Sequence, residues 1–125
     1  MTTKVLAVAL GGAIGATLRF YLQDWSLGRY GAAFPYGTLV VNLSGAFLIG
    51  LLMTIFLKHV HIAPAWRLFF ITGILGGYTT FSALTLETYA LFEEGLALQA
   101  LVYLGASVFG GMITLLSGVY LGRLF

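Results

Sequence analysis

Four apolar stretches dominate the chain, and each is about as long as a membrane is thick. They run about Val5 to Leu22, Phe34 to Leu57, Trp66 to Phe92 and Leu96 to Leu121. A helix needs about 20 apolar residues to cross the ~30 Å hydrocarbon core. The links between them hold half of the ten charged residues: Gln23-Asp24-Trp25-Ser26 through Gly31, Lys58-His59-Val60-His61 through Pro64, and Glu93-Glu94-Gly95. The last is short enough to make its flanking helices antiparallel neighbours. A water-soluble fold fails on charge, because only 8 % of the 125 residues are charged, against roughly 25 % in soluble domains. The expectation is an all-α membrane protein, a single four-span domain over residues 1–125. The apolar run after Lys4 has no convincing cleavage site and is followed by more membrane, so it reads as the first span rather than a secretory signal.

Several function classes drop out. The chain has no cysteine, so disulfides, thiolate metal sites and cysteine nucleophiles are excluded. Two histidines, His59 and His61, are too few for a metal site. Spans one, two and four hold no carboxylate, and no catalytic arrangement is visible, so an enzyme is not expected. Lys4, Lys58, Arg67 and Arg123 fall on one side of the membrane, and Arg19 and Arg29 towards the other. The positive-inside rule then mildly favours that first side as cytoplasmic and leaves room for insertion in both orientations. Trp25, Tyr30, Tyr36 and Trp66 fall at the interfaces, where amphipathic aromatics belong.

Polar residues inside a membrane are costly and usually have a purpose. Arg19, towards the end of span one, is either a topology anchor or a fixed positive charge at a pore mouth. Asn42 lies deep in span two and shares a face with Thr38 and Gly45. It is either helix–helix glue or a two-hydrogen donor aimed at a dehydrated anion. Span four carries Tyr103, Ser107, Gly111, Thr114 and Gly118 on one stripe, which suits close packing or a pore lining. Span three is the most unusual. Gly73, Gly76 and Gly77 precede Thr79, Thr80, Ser82, Thr85 and Thr88, so glycines and β-branched threonines weaken the helix where lipid should enforce it. The expectation is a third helix broken mid-membrane, with backbone carbonyls released towards protein or a cavity.

Three segments together resemble the Fluc, or CrcB, family of fluoride channels over the whole chain. They are Gly11-Gly12-Ala13-Ile14-Gly15-Ala16 leading to Arg19, Gly37-Thr38-Leu39-Val40-Val41-Asn42-Leu43-Ser44-Gly45, and Gly76-Gly77-Tyr78-Thr79-Thr80-Phe81-Ser82 followed by Glu87. The resemblance implies passive export of cytoplasmic fluoride through a multi-pass protein of the plasma membrane, built as an antiparallel, dual-topology homodimer. It implies a structural Na⁺ held by the backbone carbonyls of Gly76 and Thr79. Asn42, Phe81, Ser82, Tyr103 and Ser107 would lie on or near the fluoride path, with Arg19 at a vestibule. One departure stands out. The family commonly carries a second phenylalanine three residues after the first, and here that position is Leu84.

Two rivals remain at this level. A small multidrug-resistance-type exporter would need a proton-coupling carboxylate deep in span one, where this chain has Arg19 and no acid. A non-conducting scaffold subunit would leave Asn42 and the hydroxyls of span four without a role.

Overall fold

The computed structural model describes Met1–Phe125 and is all-helical. Helix α1 spans Thr2–Tyr30, α2 Tyr36–Lys58 and α3 Pro64–Arg67. A π-helical stretch, Leu68–Leu75, leads into α4, Gly76–Tyr78; α5 then spans Phe81–Glu93 and α6 Ala97–Gly122. Four units are long and apolar enough to cross a membrane: α1, α2, the composite segment Pro64–Glu93, and α6. Only 20 of 125 residues are buried, while Phe20, Phe109, Ile113 and many other large apolar side chains stand more than half exposed. Lipid tolerates such an exterior, and water does not.

The segment Gln23–Tyr30, expected to be linker, is helical. It contains no proline, and its single Gly28 is not enough to stop a helix. The stop comes at Gly31, whose positive φ of 75° suits glycine and whose N–H reaches the Leu27 carbonyl at 2.9 Å. Arg19 therefore sits about three turns inside the end of α1 rather than in its last turn. At the other tight link, Gly95 (φ 77°) closes a Schellman motif: Leu96 N–H bonds the Leu91 carbonyl at 2.9 Å and Gly95 N–H that of Phe92 at 3.0 Å. That turn folds α6 back antiparallel to α5.

Glycine seams hold the bundle. On α1, a Cβ at Gly11 or Gly15 would run into the backbone of Phe69, Gly73 and Ile74, and one at Gly77 into the backbone of Gly12 and Ala16. Gly11-x₃-Gly15 thus faces Gly73-x₃-Gly77 in register, with both segments running the same way. A second parallel seam joins α2 to α6, where Gly50 meets the backbone of Leu115, and Gly118 and Gly122 meet Phe47, Leu51 and Thr54. Membrane helices gain no hydrophobic drive from associating, so close backbone approach at small residues does the packing.

Candidate functional site

The site is organised around Thr79 and Thr80, both in extended backbone (φ −78°, ψ 155° and φ −151°, ψ 120°). Three residues of α2 pack against this pair and the Tyr78 before it. Ser44 shares a 2.9 Å hydrogen bond with the Tyr78 hydroxyl. Gly45 leaves room for the methyl of Thr79, which a Cβ there would strike. Asn42 donates from Nδ2 to the Thr80 carbonyl at 3.0 Å and accepts the Thr80 N–H on Oδ1 at 2.8 Å.

Those bonds reroute the helix. A continuous α-helix would send the Thr80 amide to the Gly76 carbonyl and the Ala83 amide to the Thr79 carbonyl. Instead the Thr80 amide is taken by Asn42, and the Ala83 amide bonds the Thr80 hydroxyl at 3.1 Å, an N-cap for α5. The carbonyls of Gly76 and Thr79 are thereby left without their helical donors. Gly76 is exposed and Thr79 half-buried.

A concavity of about 330 Å³ opens beside this segment, and Asn42, Thr79, Thr80, Phe81, Leu84, Ser107 and Gly111 are among its lining residues. The Asn42 amide carries two hydrogens, and only one is used within the chain. Phe81, in the first turn of α5, is 77 % exposed, whereas Leu84 is 6 % exposed and packs with Leu91, Ala100 and Tyr103. The two share the concavity, but Leu84 also belongs to the core between α5 and α6. Ser107 is buried and donates to the Tyr103 carbonyl at 2.7 Å.

A second polar group lies one turn away on α2 and on α6, and joins four helices. Gln23 Nε2 on α1 donates to Thr38 Oγ1 on α2 at 2.9 Å, and Thr38 donates to Glu87 Oε1 on α5 at 2.8 Å. The fully buried Tyr103 on α6 donates to Glu87 Oε2 at 2.6 Å. Phe34 meets the Tyr103 ring edge-on at 5.5 Å. Gln23, Thr38 and Glu87 also line a concavity of about 280 Å³ that opens among Gly31, Pro35 and Tyr36, at the end where α1 and α2 are joined. Glu87 was not assigned a role from the sequence. Its signal was that of an acid inside an apolar stretch, flanked by Thr85 and Thr88.

Thr38 and Asn42 on α2, with Tyr103 and Ser107 on α6, thus form two polar rungs one helical turn apart. Of the sequence candidates, Asn42, Thr79, Phe81 and Ser107 meet at one concavity, and Tyr103 sits at the adjoining rung. Ser82 is exposed, with its hydroxyl 3.2 Å from that of Thr80. Arg19 is half-buried on α1 and lies outside the concavity. The stripe on α6 divides: Ser107 and Gly111 face the concavity, Gly118 packs against α2, and Thr114 bonds its own helix at the Gly111 carbonyl.

Fold and site define a small four-span membrane protein in which Asn42, Thr79, Thr80 and Ser107 line one shallow concavity beside a four-helix polar group. The family model described as "CrcB-like protein, Camphor Resistance (CrcB)" matches residues 6–119, and the chain belongs to that family. It is 46 % identical over 122 residues to a protein of Chloroflexus aurantiacus named "Fluoride-specific ion channel FluC", covering 98 % of this chain and 97 % of the relative. Proteins of the same name from Rhizobium meliloti and Acidobacterium capsulatum are 46 % and 43 % identical, over 95 % and 96 % of both chains respectively. The chain is a multi-pass membrane protein.

Proposed function

We propose that this protein is a passive, fluoride-selective channel that releases cytoplasmic fluoride across the plasma membrane. The observation that carries it is the convergence of Asn42, Ser107 and Phe81 on one concavity, one turn from the Thr38–Glu87–Tyr103 rung. Fluoride is small, strongly hydrated and a strong hydrogen-bond acceptor. A path that strips its water must offer donors in return. The unused Asn42 hydrogen is one, and the Ser107 hydroxyl can be another if its hydrogen swings away from the Tyr103 carbonyl. The electropositive edge of Phe81 suits the same ion. Arg19 contributes positive charge towards a vestibule. The names of the relatives support the reading.

The working form is an antiparallel, dual-topology homodimer. The exposed Phe81 and Gly76, with the half-buried Thr79, are surfaces a second copy would complete. The extended Thr79–Thr80 pair is read as the mid-membrane break. Carbonyl oxygens suit a hard cation, and the chemistry of the Gly76 and Thr79 pair fits a structural Na⁺ in type. Two oxygens are too few for a closed shell, and a second copy would bring the number to four. Such an ion would cross-link two breaks and take no part in conduction.

Efflux from liposomes containing only this protein tests the function. Fluoride should leave and chloride should stay. A proton-coupled exporter would release fluoride only when a pH gradient is imposed, and a scaffold subunit would release neither ion.

A further inference from the structure

One end of this chain is basic and free of acids. Lys4, Lys58, Arg67 and Arg123 lie at the end where α1 begins and α2 finishes, while Arg19, Arg29 and all four acids, Asp24, Glu87, Glu93 and Glu94, lie in the opposite half. Lys58 is already engaged, donating to the Arg123 carbonyl where α6 ends. Lys4 and Arg67 are different. Both are exposed, and they flank one concavity of about 370 Å³ whose walls include Phe56, Leu57, Ile62 and Leu68. Two cations from different spans therefore stand over an apolar floor at the level where the chain leaves the membrane, with no acid nearby to neutralise them.

We propose that this concavity binds the headgroup of an anionic phospholipid. The phosphate would sit between Lys4 and Arg67, and the upper acyl chain would lie along Phe56, Leu57 and Leu68. The complementarity is specific in its parts. Guanidinium and ammonium groups supply donors for phosphate oxygens, the aliphatic stem of lysine can lie on the apolar wall, and basic pockets between membrane helices are the usual sites for acidic lipid headgroups. A zwitterionic lipid carries its own cation and gains less. A bound lipid would tie the first turn of α1 to the start of the third span, which no hydrogen bond within the chain does at this end. In an antiparallel dimer, each leaflet would hold one such site.

Native mass spectrometry of the detergent-purified protein tests this, with dioleoylphosphatidylglycerol and dioleoylphosphatidylcholine supplied in equal amounts. The glycerol lipid should dominate the bound species. An excess of inorganic phosphate should leave it bound. The double variant Lys4→Gln, Arg67→Gln should weaken it about thirtyfold, from about fivefold for each cation near an anionic headgroup. Arg29→Gln, at the opposite end of α1, should change nothing, and equal melting temperatures would show that both variants are folded. Equal retention of the two lipids, an unaffected double variant, or displacement by free phosphate would each overturn the proposal.

Discussion

Asn42 and Thr80 bond each other twice, the amide of one side chain closing on both the carbonyl and the N–H of the other residue's backbone at 3.0 and 2.8 Å. The side chain does for Thr80 what a helix turn would otherwise do, and it frees the Gly76 carbonyl in the process. Asn42 is thus a structural clamp that lines the concavity and still has one amide hydrogen that no group in the chain takes. The two readings of Asn42 that the sequence left open, glue and anion donor, are therefore compatible.

Asn42→Asp separates itself from a simple loss of packing. Aspartate can still accept the Thr80 N–H, but it sets an oxygen against the Thr80 carbonyl and adds negative charge to an anion path. Fluoride efflux should be lost, and thermal stability should fall by about 1–3 kcal/mol for the unmade bond. Normal efflux at neutral pH would remove Asn42 from the path.

Thr79→Ala and Thr80→Ala should differ in their effect on Na⁺ dependence. The Thr79 carbonyl survives the first change. The second removes the hydroxyl that holds the Ala83 amide, so that amide can swing to the Thr79 carbonyl and occupy the oxygen a cation would use. Thr80→Ala should also cost about 1 kcal/mol as a lost N-cap. Melting temperature measured against Na⁺ concentration checks this: the ion should stabilise the parent and Thr79→Ala alike, and stabilise Thr80→Ala less.

The four membrane-length helices were legible because hydropathy and length are properties of the letters themselves. The extension of α1 to Tyr30 was hidden, since Gln23, Asp24 and Ser26 read as linker although nothing in them breaks a helix. The glycines and threonines of Gly76–Thr80 draw attention in the sequence, but pairings such as Asn42 with Thr80 or Ser44 with Tyr78 depend on how α2 packs. Glu87 was missed for the same reason. Its partners Thr38 and Tyr103 are 49 and 16 residues away, and periodicity along one helix carries no information about another.

Gly15→Ala should damage the fold where Gly105→Ala does not. A Cβ at Gly15 meets the Ile74 carbonyl, and backbone cannot step aside as a side-chain tip can; at Gly105 nothing lies within 4 Å. The expected cost at Gly15 is about 1–3 kcal/mol, read as a lower melting temperature or loss of the size-exclusion peak. At Gly105 no loss is expected.

Phe81 and Leu84 should separate transport from stability. Phe81→Leu, on an exposed position, should slow fluoride efflux with little change in the melting temperature. Leu84→Phe should keep the path aromatic, but it must fit more volume beside Leu91, Ala100 and Tyr103. A stability loss of about 1–3 kcal/mol is expected there, with efflux preserved in the protein that folds. A silent Phe81→Leu beside a blocked, stable Leu84→Phe would reverse the assignment.

The most direct measurement is electrical. Purified protein in a planar bilayer, with equal pH on both sides and a fluoride gradient across it, should carry a current that reverses near the fluoride equilibrium potential and is unmoved by a chloride gradient. A current that appears only with a pH gradient, or that follows chloride as readily as fluoride, would contradict a passive fluoride-selective pore.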